Sequence, residues 1–184
     1  MKRPLAILIA VTAMCVGAHA QQGGKNSLEG APWTERVFFG GGGSFNGGVD
    51  AAGNRYTYFA INPLVGYRVN KPASVGLAIN YALVSYPDIP AKASQYGVSP
   101  FAQYRVGKIF GWAEYSFISV PNYDNTYRST YKRFPVGLGF TQPIGPKAAI
   151  NVMSLYDLRY HYNNTFFTNP FIIRIFITAG GISM

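Results

Sequence analysis

The sequence predicts an all-β chain: an eight-stranded antiparallel up-and-down transmembrane β-barrel preceded by a signal peptide. Three observations predict it. Segments of about ten residues alternate between a bulky apolar side chain and a small or polar one, the period of a strand with two unlike faces. The arginines inside those segments share the polar parity. Short turns alternate along the chain with longer polar loops.

The clearest segment is Ala73–Tyr86, ASVGLAINYALVSY. Val75, Leu77, Ile79, Tyr81 and Leu83 alternate there with Ser74, Gly76, Ala78, Asn80 and Ala82. Ten such residues, at about 3.3 Å each and a tilt of about 45°, rise roughly 23 Å, near the height of an outer-membrane barrel's apolar band. The 184 residues leave room for one domain. With 21 Gly, 14 Tyr and 13 Phe against 7 acidic residues, the composition is that of a β-rich protein with much apolar surface. The formal charge of +9 is carried mostly by single, scattered basic residues, with Lys132-Arg133 the one adjacent pair after the leader. That pattern suits anionic lipid head groups and argues against nucleic acid.

Residues 1–20 read as the signal peptide. Lys2 and Arg3 precede an apolar run, Leu5–Val16, and Ala18-His19-Ala20 is a small-residue cleavage site. The run is too short to span a bilayer as a helix, which needs about 20 residues. Met14 before Cys15 is a poor fit for lipoprotein processing, and cleavage after Ala20 leaves no cysteine to form a disulfide. Residues 21–31 are a polar, glycine-rich tether, and residues 32–184 are the barrel.

Strand by strand, the first alternation is expected from Trp33 to Phe45, with Trp33, Val37, Phe39 and Phe45 outward. Its Gly40–Gly43 run lacks the Gly-Lys-Ser/Thr of a phosphate loop and is taken as room for a bend or a neighbouring side chain. Asn46–Arg55 is a loop. Tyr58–Val69 presents Phe59, Ile61, Pro63, Val65, Tyr67 and Val69 outward, then turns at Asn70–Pro72 into the opening segment. After the loop Pro87–Ser94, Gln95–Val106 turns Tyr96, Val98, Pro100, Ala102, Tyr104 and Val106 outward. Pro63 and Pro100 each remove a ladder donor and predict local defects or bulges. Beyond the Gly107-Lys108 turn, Ile109–Val120 puts Tyr115 and Phe117 outward and Trp112, Glu114 and Ser116 inward. Pro121–Thr130 is a loop, and Tyr131–Gln142 turns Phe134, Val136, Leu138 and Phe140 outward. After the turn Pro143–Lys147, Ala148–Tyr160 mixes both periods; Ile150, Val152, Tyr156, Leu158 and Tyr160 are assigned outward, Asn151, Asp157 and Arg159 inward. His161–Thr168 is a loop, and Pro170–Ile182 is the last strand.

A soluble barrel of the lipocalin sort, carrying a ligand in the periplasm, would alternate as well. It would keep its bulky residues inside and show Lys, Glu and Asp outside. Here the face opposite the apolar one carries Gly, Ala, Ser and Asn, and Arg36, Arg68, Arg105, Arg133, Arg159 and Arg174 all fall on it. An arginine toward lipid at mid-membrane costs about 2–4 kcal/mol, which accounts for that parity. Outward aromatics gather in two bands. Trp33, Tyr67, Tyr104 and Phe140 lie toward the short turns; Tyr81, Tyr96, Phe117, Phe134 and Tyr160 lie toward the loops.

Signal peptide, eight alternating strands, unequal loops and a cysteine-free barrel together resemble the small OmpA/OmpX-type outer-membrane barrels of Gram-negative bacteria, over roughly Trp33 to Met184. The resemblance implies a monomer in the cell outer membrane, in contact with lipid and lipopolysaccharide and inserted by the barrel assembly machinery. The residues themselves point to a structural or surface-interaction role, and no cofactor is expected. The chain departs from the pattern at its end, Gly180-Gly181-Ile182-Ser183-Met184, where such barrels carry an aromatic residue; Phe176 lies slightly inside.

Eight strands leave a lumen just wide enough to be filled by side chains, so no conducting pore is expected. Inward charges must then pair. Glu114 shares its parity with Arg174, Arg105 and Arg68, and an ion pair of Glu114 with Arg174 or Arg105 is expected to plug the interior. Two further roles are a barrel accessory to secretion or envelope assembly and a lipid A-modifying enzyme. The latter would use His161 with Asp157 and Ser154. There is no metal-ligand cluster.

Overall fold

The computed structural model describes residues 28, 30–49, 53–88, 91–121, 127–160 and 170–180. The leader, His161 and the last four residues therefore lie outside the described residues. A short helical turn, α1 (Trp33–Arg36), leads into ten strand segments. They are β1 (Val37–Val49), β2 (Arg55–Arg68), β3 (Ala73–Tyr86), β4 (Ala91–Val106), β5 (Ile109–Glu114), β6 (Ser116–Pro121), β7 (Arg128–Arg133), β8 (Pro135–Gly145), β9 (Ala148–Asp157) and β10 (Phe171–Gly180). All ladders are antiparallel, and β1 pairs with both β2 and β10, so the sheet closes on itself.

Ten segments make eight barrel strands, because β5 continues into β6 past Tyr115 and β7 into β8 past Phe134. Prolines explain both breaks. The carbonyl of Pro100 accepts from Tyr115 N at 3.0 Å, so the N–H that proline lacks falls on the same edge, facing β5 and β6. Pro135 opens β8 next to Phe134, whose carbonyl faces the β9 side and accepts from Leu158 N at 3.0 Å. Pro63 acts likewise: the β2–β3 ladder skips from Ile61↔Tyr81 to Leu64↔Ala78.

Side-chain orientation follows the alternation. Phe59, Ile61, Val65 and Tyr67 on β2, and Val75, Leu77, Ile79 and Tyr81 on β3, are exposed on the outer face. Ala60, Leu64, Ala78 and Ala82 between them are buried. In β9 the mixed period resolves with Met153 and Leu155 inward and buried, and Ser154 outward.

Several expectations change. Trp33 and Arg36 are not on a strand. Pro32 precedes them, and Arg36 turns back to donate to Leu28 O at 2.6 Å and Ala31 O at 3.2 Å, tying the entering chain to the barrel rim. Arg159 lies beyond the end of β9 and is exposed, its guanidinium 5.9 Å from the Tyr115 ring. β1 runs on to Val49 and pairs with β2 as far as Arg55, so the first loop is shorter than Asn46–Arg55. β4 begins at Ala91 and β7 at Arg128, shortening the next two loops, and β10 ends at Gly180.

Candidate functional site

The inward face divides into two levels. Toward the short turns, aromatic rings fill the lumen. Phe101 stacks on Trp112 with centroids 4.2 Å apart; Phe176 lies 5.7 Å from Trp112, and Phe110 contacts both at 6.4 Å, edge-on. Phe38, Leu64, Met153 and Leu155 complete the cluster. Inward glycines make room for the rings: a Cβ on Gly76 would collide with the Phe101 ring, and one on Gly139 with the Phe110 ring. Below the rings, Asn151 links Thr141 and Thr178, accepting at 2.8 Å and donating at 3.0 Å.

On the other side of the rings lies a polar layer centred on Glu114. Trp112, Glu114 and Ser116 occupy three successive inward positions across the β5–β6 break. Glu114 is buried, and both its oxygens are engaged. Arg174 reaches from β10, Nη1 donating to Oε2 at 2.8 Å and Nη2 to Oε1 at 3.0 Å. Trp112 Nε1 donates to Oε2 at 2.9 Å and Ser116 Oγ to Oε1 at 3.2 Å. From Ser116 a chain of bonds runs around the wall. Ser99 Oγ donates to Ser116 Oγ at 2.8 Å, Asn80 Nδ2 to Ser99 Oγ at 2.7 Å, and Asn62 Nδ2 to Asn80 Oδ1 at 2.8 Å. The carboxylate is thus tied to β2, β3, β4 and β10. Such two-point guanidinium pairing is the strong form of the interaction, and removing one partner of a buried pair costs about 3–5 kcal/mol.

Of the four lumen residues picked out by sequence, Glu114 and Arg174 meet here. Arg68 and Arg105 do not join them. They lie toward the short turns with Ser74 and Gln103, Arg68 being 5.8 Å from the Phe38 ring centroid. The sequence missed a second ion pair. Arg133 Nε donates to Asp157 Oδ2 at 2.7 Å, while Oδ1 takes the amides of Phe134 (2.9 Å) and Arg159 (3.0 Å). Asp157 is committed to those donors, and Ser154 faces the opposite side of the sheet.

Above the Glu114 layer the lumen is open. A cavity of about 280 Å³ lies between the walls, with Asn62, Asn80 and Arg174 beside Tyr58, Gln95, Arg133, Ile118 and Ile172. At the loop end Arg55 clasps Asp88, with Nη2 to Oδ1 at 2.7 Å, Nε at 3.1 and 3.2 Å, and the Arg55 amide to Oδ2 at 2.9 Å. These bonds hold the Asp88 carboxyl down to about 2 from 3.8. On β7, Arg128 lies 4.2 Å from the Tyr96 ring centroid and donates to Ser94 O at 2.7 Å.

Of the aromatic bands, Tyr67, Tyr104, Phe140, Tyr81, Tyr96 and Phe117 are exposed on the outer face; Tyr160 is half-buried past the end of β9, and Trp33 is exposed on α1. Among the described residues no group of three His, Cys, Asp or Glu residues is placed to hold a metal. The fold and this interior define a closed eight-stranded antiparallel β-barrel. No protein-family model matches the chain, and no curated protein matches it.

Proposed function

We propose that the chain is an integral outer-membrane β-barrel with a non-conducting lumen, filled at its aromatic level, serving a structural or surface-contact role. The observation that carries this is the chemistry of the outer face. Arg55, Lys92 and Lys132 lie toward the loops, and Lys71, Lys108 and Lys147 in the turns. Between them no described outward strand position carries a charge. Instead Ile61, Val65, Leu77, Ile79, Leu138, Ile173 and Ile175 are exposed. In water so continuous an apolar belt would aggregate; in hydrocarbon it is the surface a spanning barrel requires. The aromatic cluster across the lumen supports the non-conducting assignment, and the Arg- and Lys-bearing loop rim suits lipopolysaccharide phosphates. A monomer delivered by the barrel assembly machinery fits this reading.

Membrane fractionation with heat-modifiable gel mobility tests it. The expected result is a carbonate-resistant outer-membrane protein that migrates faster unheated than boiled. Recovery as a soluble periplasmic protein overturns the proposal in favour of a ligand carrier. Within the same assay Ile79→Arg, placed on the apolar belt, is expected to cost about 2–4 kcal/mol of stability in vesicles.

A further inference from the structure

β1 is paired with β2 along its whole length, from Val37↔Tyr67 to Val49↔Arg55. β10 is likewise paired with β9 from Phe171↔Tyr156 to Ala179↔Ala148. Yet the ladder that joins β1 to β10 has four residue pairs and ends at Gly41↔Ile177. Gly42 still abuts the Ile175 carbonyl, but beyond that contact, among the described residues, the facing edges Gly43–Val49 and Phe171–Arg174 share no ladder. An open sheet edge cannot face hydrocarbon, because lipid tails offer its amides and carbonyls no partners; such an edge persists only where water or polar groups reach it. Gly43 and Gly47 add no side chain to the outer face of β1, where Phe45 and, on β10, Ile173, 76% and 78% exposed, present apolar surface. Gly43 and Ile172–Ile175 line both the gap and the cavity above Glu114.

We propose that this cavity is a binding site for a single-chain amphiphile with an anionic head, entered from the side through the gap between β1 and β10. The proposal rests on the membrane reading above. Its chemistry comes from the cavity wall. Arg174 commits two N–H groups to Glu114 and carries five in all, so it has donors for a further acceptor. Gln95 adds a further donor beside the same space. A volume of about 280 Å³ admits a carboxylate or phosphate head with some water, and is too small for a whole long-chain lipid. The chain of the amphiphile then lies along Ile173 and Ile175, which already face lipid.

The test uses the protein refolded in phosphatidylcholine vesicles, with 11-(dansylamino)undecanoate as the fluorescent probe. The expected result is saturable binding at one probe per barrel. Displacement by dodecanoate (carboxylate head) or lysophosphatidylglycerol (phosphate head) is expected to be at least about tenfold better than by neutral monododecanoylglycerol. Which of the two anionic competitors is stronger identifies the source of the head group. Filling the cavity with Ala82→Trp, or with Gln95→Trp should the first variant misfold, is expected to weaken binding by at least about tenfold. Ile173→Cys carrying a bulky maleimide is expected to slow association by a similar factor. Unchanged association in that variant overturns the side entrance, and equal displacement by the neutral competitor overturns the anionic head. Unchanged binding in a folded cavity-filling variant overturns the site. A chain that fails to insert sinks the membrane reading, whereas an inserted, heat-modifiable barrel that binds no probe sinks this proposal alone.

Discussion

The two ends of the lumen have the same wall and opposite contents. Toward the short turns, rings from β1, β4, β5 and β10 meet inward glycines on neighbouring strands and close the interior. Toward the loops, Tyr58, Ile118 and Ile172 share the inward face with Asn62, Asn80, Ala60, Ala82 and Gln95, no ring cluster spans the space, and a cavity remains. The difference teaches that the girth of an eight-stranded barrel does not decide whether it is filled. The pairing of large with small residues across neighbouring inward positions does. The Glu114 layer is the boundary, and its carboxylate closes one level while flooring the other.

Four perturbations probe that division. The largest effect is expected from Phe110→Ala, which empties the packed level and should cost about 3–5 kcal/mol in urea unfolding from vesicles. A loss as small as that of an exposed substitution would make the lower level as loose as the upper. Glu114→Ala strands the Arg174 charge at the boundary and is expected to cost about 3–5 kcal/mol, partly recovered in Glu114→Gln. Asn80→Ala acts beside open space, where water can replace the lost bonds, and about 1 kcal/mol is expected in the same titration. The smallest effect belongs to the Arg55–Asp88 clasp beyond the barrel wall. Folding lowers the Asp88 proton affinity, so the clasp contributes fully above its ordinary value of 3.8 and is lost as pH falls through about 2. The Arg55 amide resonance, bonded to Asp88, should titrate with a midpoint near 2 and not near 3.8.

The orientation of most strands was legible because period-two alternation and face are the same property of a pleated chain. The antiparallel order followed from the unequal connections, and closure is seen directly in the β1–β10 ladder. Glu114 stood out because a lone acidic residue on an inward parity needs a cation; Arg174 shared that parity with Arg105, and only the register across the barrel separates them. Ser99 and Ser116 gave no such signal, since small inward residues look alike whether they bond or merely fill. Their cue was position: Ser99 next to Pro100, and Ser116 next to the interrupted Tyr115. Met153 and Leu155 blurred the period of β9 because an aromatic-filled level accepts large inward residues. Trp33–Arg36 mimicked the start of a strand over too few residues to distinguish it from one helical turn after a proline. The gap beside β1 was invisible, because alternation continues whether or not an edge finds a neighbour.

The four pairs between Phe38–Gly41 and Gly180–Ile177 also bear on how the molecule is assembled. Counted as eight barrel strands, every other ladder among the described residues joins neighbours in the sequence, whereas this one brings the two extremities of the barrel together. The entropy of closing a loop rises with its length, by about 0.6 kcal/mol per doubling, so zipping the hairpins in series precedes cyclisation. Until that final clasp forms, the molecule is a curled ribbon with two sticky margins, each a row of amides and carbonyls awaiting a neighbour.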